Sequence, residues 1–170
     1  VEQAMAVLQV SPATVRRDFN DLARKGLVER NRGGIGTLRE VSGGLLPFGL
    51  RNVQQSAEKA AIARRAAEEL QEGDTVMIDG GTTTFHLAPY IAQMSLNVIT
   101  NSVRLAASLD ELRAVDKGPK VILTGGHLHP RSGVLIGPSA AASLTQYHAK
   151  YALLSGGGIN EEGIFNTDEF

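Results

Sequence analysis

A run of small polar residues, Asp79-Gly80-Gly81-Thr82-Thr83-Thr84, follows a short apolar segment and precedes a helical pattern. Its two glycines allow a ligand to approach the backbone closely, and its three hydroxyls can donate hydrogen bonds. The amino end of the following helix adds partial positive charge. These properties favour an anion, and phosphate fits them best. The run therefore predicts a phosphate site, and the alternative is an ordinary tight connection with helix caps.

Further polar and glycine-rich residues follow other predicted strands. Asn101 and Ser102 offer an amide and a hydroxyl, which are suitable partners for sugar hydroxyls. The run at Asp79 lacks the lysine of the nucleotide P-loop and the G-x-G-x-x-G spacing of dinucleotide-binding turns. We therefore expect a small phosphorylated ligand rather than a nucleotide. Its rim would be completed by Gly125, Gly126, His127, His129, Gly156, Gly157 and Gly158.

No metal site and no cofactor are predicted. The chain has no cysteine, and its loop histidines His127 and His129 lack a tight spacing with acidic residues. Isolated loop histidines are more often structural or exposed than ligands. Arg131 is able to pair with a phosphate, although an exposed loop arginine requires no ligand.

A second region with functional chemistry is a short basic helix near the start of the chain. Ser11 suits the N-cap, and Pro12 suits the first helical position, where its missing N–H costs nothing. Val15, Phe19 and Leu22 form one apolar face, and Gly26 is the expected stop. Such a helix is typical of a DNA-reading helix-turn-helix, although adjacent arginines are also common on solvated faces. The residues left for DNA contact are Ser11, Pro12, Thr14, Arg16, Arg17 and Asn20.

The residues after this helix predict a wing. Residues 27–30 alternate like a short strand, and residues 31–34 form a basic glycine turn. In a winged helix-turn-helix, Arg30 and Arg32 would contact phosphates while the helix reads base edges. Residues 1–8 form a preceding helix with Ala4, Val7 and Leu8 on one side.

These motifs resemble the DeoR family of bacterial sugar-metabolism regulators. The front carries Ser11 to Phe19, Leu22, Lys25-Gly26-Leu27 and Gly33-Gly34 in the order of the family's DNA-binding head. The remainder carries Asp79 to Thr84, Thr100-Asn101-Ser102, Gly125-Gly126 and Gly156 to Ile159, which resemble the family's sensor domain.

The resemblance implies a fold and a ligand. The family's sensor domain is similar in fold to ribose-5-phosphate isomerase and coenzyme A transferases, and it binds phosphorylated sugars as inducers. By resemblance, the threonine run holds the phosphate, and Asn101 and Ser102 lie beside the sugar. Lys150 departs from the family pattern, because many members open that strand with aspartate.

The elements that must position these residues alternate between strand and helix. Short apolar runs at residues 75–79, 96–100, 120–124 and 151–155 read as buried strands. The helices between them are predicted at 56–70, through Leu87 and Ile91, at 103–109 and at 138–147, with a short strand at 133–137. This order predicts an α/β domain with a mostly parallel sheet and helices on both faces. The polar clusters all follow strand ends, where ligands bind in such sheets.

Composition agrees with a small basic head on a larger body. The 170 residues include 17 basic and 18 acidic ones, and residues 1–40 carry seven basic against five acidic. No apolar run is long enough to span a membrane and no secretory signal is visible, so a cytoplasmic protein is expected. We expect a DNA-binding domain at 1–36, a linker at 37–55 and a sensor domain at 56–170. Both ends look truncated, so the chain is expected to be a fragment.

The predicted function is a repressor of a sugar-catabolic operon that is released from double-stranded operator DNA by a phosphorylated sugar. A homo-oligomer, dimer or tetramer, is expected because paired half-sites require paired recognition helices. The alternative is a sugar-phosphate isomerase or deaminase that uses the same pocket, with Asp79 as the candidate general base. A regulator of a different small molecule, such as a free sugar or a nucleoside, is the third possibility.

Overall fold

A computed structural model of the chain describes residues 1–24, 28–31, 33–36, 46–129 and 132–165. The chain divides into two compact units, one covering Val1–Arg51 and the other beginning at Asn52. This division falls inside the predicted linker 37–55, of which residues 37–45 lie outside the described ranges. The domain limits given above stay a prediction.

The first unit begins with two helices joined by a short turn. Helix α1 (Glu2–Leu8) is capped at its carboxyl end by Gln9, whose φ of 52° is left-handed, and helix α2 (Pro12–Arg24) follows after Ser11. The three-residue turn between the helices is typical of a helix-turn-helix. The predicted helix stop at Gly26 lies outside the described residues.

The side of α1 that carries Ala4, Val7 and Leu8 is only partly covered. Val7 and Leu8 are exposed, at 80% and 59%, and the half-buried side chains of this helix are those of Ala4 and Met5. Among the described elements α1 packs against α2, so only the side that turns toward α2 is covered.

The predicted wing is a small antiparallel hairpin. Strand β1 (Glu29–Asn31) pairs with strand β2 (Gly34–Gly36), and Asn31 lies opposite Gly34. The connection is therefore two residues long, and Gly33 in it has a φ of 90°, which favours glycine. The strand begins two residues later than the predicted span 27–30, whose first residue lies outside the described ranges.

A helix lies where the sequence predicted an irregular linker. Helix α3 (Phe48–Val53) buries the ring of Phe48, and the guanidinium of Arg51 lies 6.0 Å from the centre of that ring. The Nε of Arg51 also donates a hydrogen bond to the carbonyl of Leu46, at 2.9 Å. These local contacts stabilise a short helix that glycine and proline content alone does not predict.

The second unit alternates between strand and helix, as predicted. In chain order its elements are α4 (Ser56–Ala67), β3 (Thr75–Ile78), α5 (Thr82–Phe85), α6 (Ala88–Ile91), β4 (Asn97–Thr100), α7 (Val103–Leu112), β5 (Lys120–Leu123), β6 (His127–Leu128), β7 (Leu135–Ile136), α8 (Pro138–Leu144), β8 (Tyr151–Leu153), β9 (Gly158–Asn160) and β10 (Gly163–Phe165).

Four of these strands form a parallel sheet in the order β5-β4-β3-β8. The chain moves from β3 to β4 to β5 in one direction and returns to place β8 on the other side of β3. The strand order therefore reverses between β3 and β8, and ligands in such sheets bind outside the carboxyl ends at this switch point. A right-handed return also puts α8 on the opposite face from α5 to α7.

The core lies on one face of this sheet. Val76, Ile78 and Val98 supply it from β3 and β4, and each is at most 1% exposed. Burying an aliphatic side chain of this size stabilises the fold by about 1.5–3 kcal/mol. The residues packed against these three are Ala63, Leu70, Leu87, Ala88, Ile91, Ala92, Leu96, Leu105 and Leu109.

Two of the four strands are less buried than predicted. Lys120 and Leu123 of β5 and Ala152 of β8 are exposed. Both strands lie at the edges of the sheet and have a neighbour on one side only. Apolar composition alone does not distinguish an edge strand from a central one.

For the helix at 56–70 the sequence predicts Ser56 as the N-cap and Ile62, Ala66 and Leu70 on the buried side, and two of these details are wrong. Ser56 is the first helical residue and not the N-cap, which is Gln55 with a φ of 50°. Ile62 is 57% exposed, whereas Ala63 is buried. The buried side of α4 consists of small residues because α5 and α6 pack closely against it.

The other helices and hairpins also differ in detail from the predicted spans. The expected helix through Leu87 and Ile91 is split into α5 and α6, because Pro89 has no N–H to continue the hydrogen-bond ladder. Helix α8 ends at Leu144 rather than at residue 147. The pairing of β7 with β6, and the β9–β10 hairpin, were not predicted. Within the described residues, no helix is long and apolar enough to cross a membrane.

Candidate nucleic-acid interface and ligand site

The start of α2 is fixed by Ser11 and Thr14. The backbone N–H of Thr14 donates to Ser11 Oγ at 3.1 Å, and the two hydroxyls lie 2.9 Å apart. Ser11 is therefore the N-cap and Pro12 the first helical residue, as predicted. All of the predicted contact residues of this helix, Ser11, Pro12, Thr14, Arg16, Arg17 and Asn20, are exposed.

The buried seam of α2 determines which side chains face solvent. Val15 and Phe19 are 1% and 9% exposed, and both turn toward the rest of the unit. Because successive residues are separated by about 100° around a helix, Arg17 and Asn20 lie on the far side from this seam. These two residues give the exposed face of α2 a basic and a polar side chain, and an α-helix fits into the major groove of DNA.

The wing contributes a second arginine. Arg30 is exposed on β1 and its guanidinium donates to the carbonyl of Gly34 at 3.5 Å. This bond holds the side chain along the hairpin. Arg32, the other predicted wing contact, lies outside the described residues.

In the second unit, Asp79 joins the ends of three strands. Its Oδ1 accepts a hydrogen bond from Asn101 Nδ2 at 3.2 Å, and its Oδ2 accepts one from the backbone N–H of Ser155 at 3.4 Å. Its own N–H donates to the carbonyl of Leu153 at 2.9 Å. The carboxyl ends of β3, β4 and β8 are thereby tied together at the switch point.

The two glycines after Asp79 are required by packing. A Cβ added to Gly80 would lie 2.0 Å from Val134 Cγ1, and one added to Gly81 would lie 2.0 Å from Ser155 Oγ. Ser155 and Val134 were not among the predicted site residues. The signal for Ser155 was its position at the end of the last predicted strand, and Val134 was marked only as part of the predicted short strand 133–137.

The three threonines begin α5 rather than forming a loop. The hydroxyl of Thr84 accepts from the N–H of Gly81 at 3.0 Å and lies 2.7 Å from the carbonyl of Asp79, to which it donates. This hydroxyl is used inside the turn. Thr82 is buried and Thr83 is half-buried, so Thr83 is the more accessible of the remaining two.

Asn101 and Ser102 have different roles. Ser102 is 3% exposed, and its Oγ accepts from the N–H of Leu105 at 3.2 Å, so it caps α7. Asn101 must direct its amide nitrogen toward Asp79, since a carboxylate only accepts hydrogen bonds. Its Oδ1 is therefore a buried acceptor that has no partner within the described residues.

The predicted rim residues divide into two groups. The carbonyl of Asn101 accepts from the N–H of Leu135 at 2.8 Å, which brings the β6–β7 hairpin beside the carboxyl end of β4. Gly125 and Gly126, with φ of 71° and 108°, lead into that hairpin. The other pair turns toward the second hairpin, because Gly156 packs against Ile164 and the N–H of Gly157 donates to Phe165.

The histidines of the β6–β7 hairpin are not arranged as metal ligands. His129 Nδ1 lies 2.8 Å from Ser132 Oγ, which is a local contact across the turn, and His127 is exposed on β6. Within the described residues, no group of three or more His, Cys, Asp or Glu side chains could hold a metal ion. Arg131 lies outside these residues.

Lys150 lies at the opposite edge of the sheet from this site. Its N–H donates to the carbonyl of Thr75 at the amino end of β3, and its Nζ pairs with Asp74 at 3.0 Å. The hydrogen bond from the backbone N–H of Gln71 is the main reason that the pKa of Asp74 is lowered, and the bond from Lys150 is the second. The same bond to Asp74 raises the pKa of Lys150. The departure at Lys150 therefore serves an ion pair and does not alter the carboxyl edge.

Comparison with known protein families divides the chain into a DNA-binding domain and a sensor domain. Residues 1–41 match the description "DeoR-like helix-turn-helix domain", and residues 54–170 match "DeoR C terminal sensor domain". These matches agree with the prediction of a small winged helix-turn-helix followed by an α/β sensor domain.

Individual relatives match nearly the whole chain. The transcriptional repressor CsqR of Escherichia coli K12 is 35% identical over 164 residues, which are 96% of this chain and 60% of the relative. The glycerol-3-phosphate regulon repressor of the same organism is 34% identical over 163 residues, 95% of this chain and 62% of the relative. The transcriptional repressor GlcR of Bacillus subtilis 168 is 36% identical over 163 residues, 96% of this chain and 61% of the relative.

The chain thus spans about three fifths of the length of these relatives. Their names describe repressors of transcription, which agrees with the predicted regulator and not with the isomerase or deaminase alternative. The sensor-domain description alone covers more than half of the chain. The chain belongs to the DeoR family of transcriptional regulators.

Proposed function

We propose that the chain forms the DNA-binding and sensing parts of a transcriptional repressor of a sugar-catabolic operon. Helix α2 enters the major groove of double-stranded operator DNA, and the β1–β2 hairpin contacts the backbone. A phosphorylated sugar binds at the carboxyl edge of the parallel sheet and weakens the binding of DNA.

One observation carries the DNA-binding part of the proposal. The exposed face of α2 presents Arg17 directly opposite its buried seam and Asn20 beside Arg17, on a helix fixed by a bonded N-cap. Arginine and asparagine are the side chains that pair most specifically with guanine and adenine edges. The names of the relatives support repression, and paired half-sites would require a dimer or tetramer.

The sugar-phosphate part is supported by the chemistry of the switch point. Gly80 and Thr83 lie at the start of a helical turn, where backbone N–H groups favour an anion, whereas the N–H of Gly81 is already bonded to Thr84 Oγ1. Asn101 adds an unpaired acceptor nearby, and a sugar hydroxyl can donate to it. One relative is named for glycerol 3-phosphate, a small phosphorylated polyol.

The enzyme alternative is less well supported by the same edge. A general base needs a carboxylate that is available to take a proton from the substrate. Both carboxylate oxygens of Asp79 accept hydrogen bonds, from Asn101 and from Ser155. Asp79 therefore acts best as a residue that positions the strand ends.

The DNA-binding proposal is tested by selecting duplexes from a random-sequence pool with the full chain. We expect one motif to be enriched, in two copies about 10–10.5 base pairs apart if the protein pairs. The matched control is the variant Arg17→Ala/Asn20→Ala, whose face has lost the base-reading side chains. If the parent and this variant enrich the same unrelated sequences, α2 does not read DNA.

The ligand is tested by thermal unfolding with sugar phosphates and their unphosphorylated parents. A phosphosugar at about a hundred times its Kd should stabilise the chain by about 2.7 kcal/mol, while its parent sugar should not. Thr83→Val should reduce this shift, whereas Thr145→Val, at the exposed end of α8, should retain it. Equal shifts by sugar and phosphosugar would contradict a phosphate site.

A further inference from the structure

The β6–β7 hairpin and the glycines that flank it, residues 125–129 and 132–137, form a strap beside the proposed ligand site. Val134 of this strap is 8% exposed. Its Cγ1 lies 2.0 Å from the point where a Cβ of Gly80 would stand, and Asn101 Oδ1 lies 3.2 Å from the same point. Val134 and the amide oxygen of Asn101 are therefore neighbours at the turn that follows β3.

This neighbour explains why Asn101 Oδ1 is buried and has no partner among the described residues. A valine side chain has no donor, so it excludes water from the acceptor and gives it no hydrogen bond in return. Two effects therefore oppose each other. The burial of Val134 favours the covered arrangement, whereas the unpaired oxygen disfavours it and would gain a hydrogen bond from water or from a ligand hydroxyl once the valine moves away.

The strap is held to the parallel sheet by short-range backbone contacts. The N–H of Leu135 donates to the carbonyl of Asn101 at 2.8 Å, and the N–H of Val103 donates to the carbonyl of Gly133 at 3.0 Å. The two strands of the strap pair over two residues each, and Leu128 on its outer side is 59% exposed. Segments with so little buried apolar surface open locally at a lower free energy than the core of a domain.

Glycines with positive φ stand at both ends of the strap. Gly125 and Gly126, with φ of 71° and 108°, precede β6, and Gly137, with φ of 96°, follows β7. No atom lies within 4 Å of a Cβ added to Gly125, so its backbone conformation and not its packing favours glycine. Residues at the ends of an element absorb the dihedral changes when that element swings.

We propose that the strap opens as a unit at its flanking glycines, and that the ligand reaches Asn101 Oδ1 only in this open state. In the closed state Val134 occupies the place of a ligand hydroxyl, and in the open state that hydroxyl donates to Oδ1. The proposal rests on the proposed ligand site and names the step that admits the ligand to it. The apparent affinity for the ligand is then reduced by the fraction of chains that are open.

Amide hydrogen exchange of the full chain without ligand tests the opening. The N–H groups of Leu135 and Val103 should report the same opening equilibrium and should be at least about tenfold less protected than the N–H of Ile99, which is 1% exposed in the central strand β4. Val134→Ala should lower their protection by about a further tenfold, because the closed state loses buried methyl groups. Val115→Ala is the matched control, since Val115 is 94% exposed, and it should exchange like the parent.

A designed disulfide tests whether the opening moves Val134 away from Gly80. The chain has no cysteine, and a Cβ at Gly80 would lie 3.3 Å from Val134 Cβ, close to the separation of about 3.5–4.5 Å in disulfides. Oxidised Gly80→Cys/Val134→Cys should protect the N–H of Leu135 as strongly as that of Ile99, and reduction with dithiothreitol should abolish this extra protection. Unchanged exchange in the oxidised form would overturn the proposal.

Calorimetric titration tests whether the opening admits the ligand. The probes are glycerol 3-phosphate, ribose 5-phosphate and glucose 6-phosphate, each compared with its dephosphorylated parent. For a probe that the parent chain binds, Val134→Ala should lower the Kd by the same factor by which it lowers the protection of Leu135, because both quantities report the open fraction. Val115→Ala should leave the Kd unchanged.

The outcomes separate this proposal from the proposed function. If Leu135 and Val103 are as well protected as Ile99, the strap does not open separately and the proposal is wrong, whatever the chain binds. If Val134→Ala lowers their protection but not the Kd, the strap opens without controlling the site, and the proposal is also wrong. If the parent chain binds none of the probes, the proposed ligand site fails and the control of ligand entry fails with it, while hydrogen exchange still decides whether the strap opens. Far-UV circular dichroism of each variant confirms that the fold is retained.

Discussion

At the residue scale, Gly80 and Gly81 are determined by the side chains that stand opposite them. Val134 and Ser155 occupy the space that a Cβ would need at these positions, which brings β8 and the β6–β7 hairpin close to the turn after β3. A glycine-rich turn at a strand end can therefore be a packing requirement and a ligand-binding feature at once. The sequence predicted the turn, but the opposing side chains depend on strand order.

We predict that Gly81→Ala destabilises the second unit by about 1–3 kcal/mol, because the new methyl group overlaps Ser155 Cβ and Oγ. The loss is measured by urea unfolding. The matched control is Gly158→Ala, where no atom lies within 4 Å of the added Cβ, and it should change stability by less than about 0.5 kcal/mol. Adding Ser155→Gly should restore much of the loss, and a failure to do so would show that this overlap is not the cause.

We predict that Asp74 contributes to acid stability. Its pKa lies below the ordinary value of 3.8, because the Gln71 N–H and Lys150 favour the ionised carboxylate. The stabilisation is therefore present above the unfolded pKa and is lost as the pH falls through the folded one. Asp74→Asn should flatten the decrease in melting temperature as the pH falls below about 4.

The control for this prediction is Asp110→Asn, an exposed change on α7 that should leave the acid profile of the parent. If Asp74→Asn and the parent lose melting temperature equally on the acid side, the Asp74 interactions do not contribute to folding. The pKa of Lys150 is raised, so its share is present below about pH 10.5 and is lost as the pH rises through the folded pKa.

At the element scale, helix starts show what local chemistry determines and what it does not. Ser11 and Ser56 both precede apolar helical patterns, yet Ser11 caps α2 through a bond to Thr14, whereas Ser56 is already inside α4. The difference lies in the left-handed residue Gln55, which no capping pattern predicts.

We predict that Ser11→Ala destabilises the start of α2 by about 0.5–2 kcal/mol, because the Thr14 N–H loses its acceptor. Faster amide exchange at Thr14 and a lower unfolding midpoint of the first unit would measure this effect. Ser11→Asp should restore most of it, and Ser56→Ala should change stability by less than about 0.5 kcal/mol. Equal effects at the two serines would contradict the assigned caps.

Much of the strand and helix order was predictable from periodicity, because runs such as Val76 to Ile78 and the pair Val98 and Ile99 are apolar and lie close to turns. The candidate site was predictable only as a set of strand ends. The Asp79 bonds to Asn101 and Ser155 depend on β8 lying beside β3, and spacing along the chain does not carry strand order. The exposure of Ile62 was missed for a similar reason, since periodicity cannot say which neighbour covers a helix.

At the scale of the whole molecule, a sensor can control DNA binding only if its ligand binds the DNA-competent and DNA-free states unequally. The two units are each compact, so the signal must pass between separately folded parts. Thermodynamic linkage then requires the effect to be reciprocal.

We predict that the sugar phosphate that stabilises the chain lowers its affinity for the selected duplex about 5- to 150-fold. The duplex should lower the affinity for that sugar phosphate by the same factor. Calorimetric titrations with and without saturating duplex measure both sides of this cycle. Tight binding of the sugar phosphate with no effect on DNA affinity would show that the ligand is not an effector.

The position of Lys150 has a consequence for engineering the protein. In a parallel sheet all strands begin at one edge and end at the other, so the Asp74–Lys150 pair and the Asp79 cluster lie a full strand apart. Stability against pH change and selectivity of the proposed ligand site therefore depend on different residues of this domain. Charge changes at the amino edge can adjust tolerance to acid or alkali without altering the proposed ligand site, and a change of that proposed site can keep the same stabilising charges.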